Sequence, residues 1–152
     1  MTGTGIAWLG GMSIRLALLL AIIVPGCRDG ADLDPPRQMM SGKDPNFWLY
    51  VSNQSFDIDP VDIEVRLDGQ LAVTGDFLVE GQHSWHRFGL RLAPGPHILE
   101  ARSEVGDVEL AEVVGDHPYA VLDFWYYPPG SSSEPTPPQF SLTFFDQPPQ
   151  FE

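Results

Sequence analysis

Val61-Asp-Ile-Glu-Val-Arg-Leu67 alternates apolar and charged residues without a break. Only an extended strand, whose successive side chains point to opposite faces, puts Val61, Ile63, Val65 and Leu67 on one side and Asp62, Glu64 and Arg66 on the other. Asp68-Gly69 follows at once, the dipeptide that best tolerates the positive φ angles of a tight type I′ hairpin. The same period of two predicts strands over Phe47–Asn53, His83–Leu92, His97–Ser103, Val108–Val114 and Tyr119–Tyr127, separated by Gly, Pro and Asp turns. On the return from the hairpin Leu71, Val73, Phe77 and Val79 share one parity, with Gly75 marking a bulge or bend. In the next strand His86, Phe88, Leu90 and Leu92 share a side. No stretch has the 3.6-residue period of an amphipathic helix, so the expected fold is an all-β antiparallel sandwich of about seven or eight strands.

The domain is expected over residues 46–127, with a different composition on either side. Residues 27–45 have no apolar periodicity and many turn formers, and read as a flexible spacer. Residues 128–139, PPGSSSEPTPPQ, are too rich in Pro and Ser for a central strand. Residues 140–152 begin with Phe140-Ser-Leu-Thr-Phe144, which alternates again. Docking as a final strand is expected, because leaving Phe140, Leu142 and Phe144 in water forfeits about 1.5–3 kcal/mol each. The alternative is a loose aromatic tail.

The stretch Val61 to Arg102, with its Asp68-Gly69 turn and with Leu92-Ala-Pro-Gly-Pro-His97 leading into another strand, resembles PEGA-type and other immunoglobulin-like surface modules. Val51-Ser-Asn-Gln-Ser-Phe56 before Pro60-Val-Asp-Ile63 resembles a run found in uncharacterised bacterial secreted proteins. The resemblance covers about a third of the chain and implies an immunoglobulin-like β-sandwich, not an activity.

Before the domain stand Arg15 and then nine uninterrupted apolar residues, Leu16 to Val24. A basic residue, a short apolar core and a small-residue exit are the parts of a secretory signal, and a core of this length falls short of the ~20 residues that span a bilayer. Val24-Pro25-Gly26-Cys27 resembles the lipobox of bacterial lipoproteins, with Pro25 where that pattern usually carries Ala or Ser. The resemblance implies that residues 1–26 are a signal peptide, that Cys27 is acylated on sulfur, and that the chain is anchored by lipid in the cell envelope. Arg28 after the cysteine, with Asp29 one place further, points by the same resemblance to an outer membrane in a Gram-negative cell. The alternative, Ile6 to Val24 retained as one membrane helix, places Arg15 near the bilayer centre at about 2.5–3.5 kcal/mol and contains the helix-weakening Gly10-Gly11.

Charge and cysteine count remove whole classes of function. The chain has 8 basic and 21 acidic residues and a net charge of −13, which Arg15 would make more negative on leaving with the signal. A nucleic-acid partner, which needs a basic patch to displace counterions, is not expected. Cys27 is the single cysteine, so an intramolecular disulfide, a thiolate metal centre and a blue-copper site are excluded. No Gly-x-Ser-x-Gly, no His-Glu-x-x-His and no phosphate-cradling glycine loop occurs, and neither enzyme chemistry nor a cofactor is expected.

Three residue groups remain as candidates. His83 and His86 are three apart, which on a strand puts them on opposite faces and prevents them sharing an ion; with His97 and His117 they are the residues a metal-dependent enzyme would use. Asp57, Asp59 and Asp62 offer clustered carboxylates of the kind calcium takes, but lack the glycine and distal glutamate of an EF-hand loop, and aspartates in turns commonly serve local hydrogen bonds. The aromatic surplus is the stronger lead. Trp48 and Tyr50 flank the core parity of the first strand, and Trp125 and Tyr127 share one parity of the last, so these four form a candidate binding surface for an envelope protein or glycan; the alternative is that residues 140–145 or the opposite sheet cover them. The expected function is a noncatalytic, lipid-anchored envelope module; a structural or chaperone-like subunit pairing through an edge strand is the alternative.

Overall fold

The alternating strand Val61–Leu67 lies in the middle of a five-stranded sheet, its four apolar residues buried and its three charged ones turned outward. The computed structural model describes residues 32–55, 57–79 and 84–151, and these form nine strands and no helix. They are β1 (Arg37–Gln38), β2 (Phe47–Asn53), β3 (Val61–Leu67), β4 (Gln70–Phe77), β5 (His86–Leu90), β6 (His97–Ser103), β7 (Val108–Val114), β8 (Tyr119–Tyr127) and β9 (Thr136–Phe145). The first sheet has the order β1-β4-β3-β6-β7 and the second β5-β2-β8-β9. The protein is a β-sandwich.

Apolar residues of both sheets meet between them. Phe47, Leu49 and Val51 of β2 and Ala120, Leu122 and Phe124 of β8 face Val61, Ile63, Val65 and Leu67 of β3, with Phe77, Leu90 and Leu99 completing the fully buried centre. Burial of each large side chain contributes about 1.5–3 kcal/mol, and no disulfide assists.

The Asp68-Gly69 hairpin has the expected positive φ at both residues, 51° and 74°. The return strand differs from its expected parity. Val65 pairs with Val73 but Arg66 with Leu71, so the extra residue of a bulge is Ala72, and Leu71 turns out of the core while Ala72 and Val73 are buried. Gly75 is not the bulge: it pairs regularly with Ile63. Its φ of 148° lets the backbone of Pro35-Pro36 approach so closely that a Cβ would stand 2.7 Å from Pro36 Cα.

That approach belongs to β1. Within the described part of the expected spacer, residues 34–40 lie along β4, with Arg37 opposite Thr74 and Gln38 opposite Val73. The Asp76 amide donates to the Asp34 carbonyl, and the Met39 amide to the Ala72 carbonyl. Period-two reasoning has little to read in a two-residue edge strand, which is held by backbone bonds rather than by an apolar face.

Two further features depart from the expected outline. All pairings are antiparallel except β2–β8, which runs parallel; the long connection between them, five strands of which four lie in the other sheet, permits it. The last strand begins at Thr136, inside the Pro-rich stretch, and pairs with β8 from Tyr127↔Thr136 to Tyr119↔Phe145. Pro137 and Pro138 are tolerated because β9 is an edge strand. Phe140, Leu142 and Phe144 pack against the core as expected of a docked strand. The strand expected over His83–Leu92 is shorter, because beyond Leu90 the Asn46 side chain bonds both the amide and the carbonyl of Leu92 in place of a ladder partner.

Candidate functional site

The outer faces of the two sheets differ in chemistry. On the five-stranded sheet Glu64 lies between Arg66 and Arg102, at 2.7 and 3.1 Å, amid further carboxylates from Glu100 and Glu109. Pairs this accessible to solvent contribute about 0–1 kcal/mol, and together with Ala101, Leu110 and Ala111 they line an open cavity of about 320 Å³. The four-stranded sheet turns aromatic rings outward.

The register of that sheet decides which rings are neighbours. Because β2 alternates, Trp48, Tyr50 and Ser52 point away from the core, and β8 places Tyr119, Val121 and Asp123 directly beside them. Trp125 and Tyr127 continue the β8 row, their rings 6.1 Å apart. All four aromatic residues expected from the sequence thus share the outer face, each half-buried. Nothing from the opposite sheet covers them, since that sheet packs on the other side. Trp48 lies over Gly89, where a Cβ would come within 2.8 Å of the indole, and the Arg87 guanidinium sits 4.8 Å from its ring centre. Trp125 leans toward β9 and donates from Nε1 to Ser141 Oγ at 2.8 Å.

Between the two aromatic pairs stands Asp123. Its Oδ1 accepts a hydrogen bond from Ser52 Oγ at 2.6 Å and another from Trp85 Nε1 at 2.8 Å, and Gln54 Nε2 donates to Ser52 Oγ. Burial pushes the Asp123 carboxyl above its usual range, opposed by the bonds from Ser52 and Trp85, which favour the ionised form. The carboxylate fixes the Trp85 indole in place. Trp85 precedes β5 and is not among the binding residues expected from the sequence: it falls inside the strand expected over His83–Leu92, opposite in parity to His86 and Phe88, but nothing local marks its partner 38 residues away.

The segment after β9 returns across this face. Phe151 stacks on Trp85, with ring centres 3.8 Å apart and planes at 16°, and tilts against Tyr50 at 5.3 Å. Such a pair contributes about 0.5–1.5 kcal/mol beyond its buried area. Phe151 is still 40% exposed, and among the described residues no hydrogen bond ties 147–151 to the sheets. A signal for this segment was present: Pro-Pro-Gln-Phe occurs twice, at 137–140 and 148–151. In the first copy Phe140 packs edge-on to Phe124 in the core; in the second Phe151 lies on the outer face.

The other candidates are placed apart. Cys27 and His83 lie outside the described residues. His86 packs edge-on to Phe77. His117 pairs with Asp146 at 2.7 Å and stacks on Phe144. His97 sits between Asp68 Oδ2 at 2.6 Å and the Ala93 carbonyl at 2.8 Å, and those two acceptors, Ala93 first, raise its pKa above the usual value. Asp68, lowered in turn by His97, also accepts from the Ile98 amide. The Asp-Gly turn and the Pro-Gly-Pro-His strand start thus bond each other.

Asp59 and Asp62 likewise serve separate loops, while the Asp57 amide donates to Ser55 Oγ. Asp59 accepts from the Val79 amide, and Asp62 accepts from Ser103 Oγ and from the amides of Glu104 and Val105. Among the described residues no three His, Cys, Asp or Glu side chains converge as a metal site. Comparison with protein-family models, curated proteins and solved structures finds no match.

Proposed function

We propose that this chain is a noncatalytic, lipid-anchored component of a bacterial cell envelope that holds another envelope macromolecule on the outer face of its four-stranded sheet. The observation that carries the reading is the concentration of Trp48, Tyr50, Trp85, Trp125 and Tyr127 outside the core and around Asp123. Rings with one apolar face and a polar tip favour recognition surfaces, and a fixed carboxylate among them adds directionality. The lipobox-like Val24-Pro25-Gly26-Cys27 supports the tether. Of the histidines that an enzyme would recruit, the described ones, His86, His97 and His117, are occupied in separate contacts at Phe77, Asp68 and Asp146, which favours binding over catalysis.

The test is capture of a partner from solubilised membranes by the tethered full chain. Trp125→Ala together with Tyr127→Ala should remove the captured partner while leaving the chain folded at a cost of about 1–3 kcal/mol, since both rings are half-buried on the outer face and Trp125 also loses its bond to Ser141. Undiminished capture by that variant would overturn the reading.

A further inference from the structure

Resting on that reading, we infer that the slot between Trp85 and Tyr50 receives an extended proline-rich peptide bearing an aromatic side chain, and that residues 148–151 of this chain are its resident, displaceable occupant. The slot is built independently of that segment. Trp85 is oriented by Asp123 Oδ1, which Ser52 also bonds, and Ser52 is in turn bonded by Gln54. Its walls accept one flat ring, stacked on the indole and tilted against the phenol.

What occupies it states the chemistry it takes. Pro148-Pro149 keep the backbone extended before Gln150 and Phe151, and prolines lower the ordering cost of seating such a segment, as in other aromatic-lined grooves that bind polyproline helices. The resident copy is weakly held: among the described residues its anchor is the Phe151 ring, which remains 40% exposed. A partner segment of the same pattern that also reached Tyr119, which shares the outer face and is half-buried, would compete for the slot. The second occurrence of Pro-Pro-Gln-Phe, at 137–140, is committed to β9 and the core, so it does not supply the competitor in the folded chain.

The experiment titrates the full chain with a synthetic peptide of residues 146–151, Asp-Gln-Pro-Pro-Gln-Phe, following tryptophan fluorescence and the indole NMR signals. Phe151→Ala should bind it at least about fivefold more tightly than the native chain, since the tethered copy no longer competes. Shifts should centre on the Trp85 indole, and a peptide ending in Ala should not bind. Trp85→Ala in the same background should abolish binding; should that variant unfold, the indole shift map of Phe151→Ala alone decides. A Phe151→Ala chain that ignores the peptide, or that binds a β-linked N-acetylglucosamine oligomer at Trp85 in its place, overturns the peptide assignment. Membrane capture that still depends on Trp125 and Tyr127 would then leave the broader binding function standing.

Discussion

Asp123 stands among Ser52, Trp85 and the outer-face rings, where a carboxylate loses solvation but gains two donors on one oxygen. Its pKa is raised, so in linkage terms its contribution to stability is complete below its ordinary value of 3.8 and is lost as pH rises through the folded value. Asp123→Asn keeps an oxygen to accept both bonds and carries no charge. Its stability should therefore stay within about 1 kcal/mol of the native chain at neutral pH, and should gain on it as pH rises from about 4 to 7. Asp123→Ala should cost about 1–3 kcal/mol, because the Trp85 N–H and the buried Ser52 hydroxyl lose their acceptor. Denaturant unfolding of both variants checks this; equal losses would show that the ion, not the acceptor, is required.

His97 gives the opposite kind of titration. Its raised pKa makes its stabilisation complete below 6.5 and lost as pH rises through the folded value, while the lowered Asp68 contributes above 3.8 and is lost as pH falls through its own folded value. The latch between the Asp68-Gly69 turn and the start of β6 is therefore strongest between those limits. The difference in melting midpoint between the native chain and His97→Gln should shrink as pH is raised from about 6 to 9. A constant difference would show that the ring acts through packing alone.

At the scale of elements, β1 depends on one glycine. Gly75→Ala meets two obstacles: a φ of 148°, which side-chain-bearing residues avoid, and backbone atoms of Pro35-Pro36 within 2.8 Å of the new Cβ. Backbone cannot yield as a flexible side chain does, so β1 should detach from β4 at a cost of about 1–3 kcal/mol. Hydrogen exchange should quicken at the Met39 and Asp76 amides, whose acceptors lie across that junction, with β2 and β8 unaffected. The opposite edge follows a different rule: Pro137 and Pro138 open β9 without donors, which deters pairing with another chain at that end.

For the whole molecule, a β-sandwich with one charged outer face and one aromatic outer face has an inherent polarity, and tethering near residue 27 would present it at a membrane surface. Cys27→Ser should release the protein from the membrane fraction or leave residues 1–26 attached, as read by partition and intact mass. Unchanged mass and partition would remove the lipid anchor from the proposal, while leaving the aromatic face to be tested through Trp125 and Tyr127.

Sequence by itself determined three strands, β3 from its alternating charge and β2 and β8 from their aromatic and β-branched runs, and each appears over the residues that the pattern delimits. The same alternation placed Trp48, Tyr50, Trp125 and Tyr127 outward, because parity is a local property of a pleated chain. Tertiary structure alone decided what parity cannot carry. The bulge at Ala72 reverses Leu71, and the parallel pairing of β2 with β8 brings Ser52 beside Asp123. Trp85 and Phe151, far apart in sequence and outside any strand, become stacked only because β5 and the segment after β9 converge on the same face. Long-range pairing has no periodicity to announce it; it follows from which edges and faces remain to be covered once the core has closed.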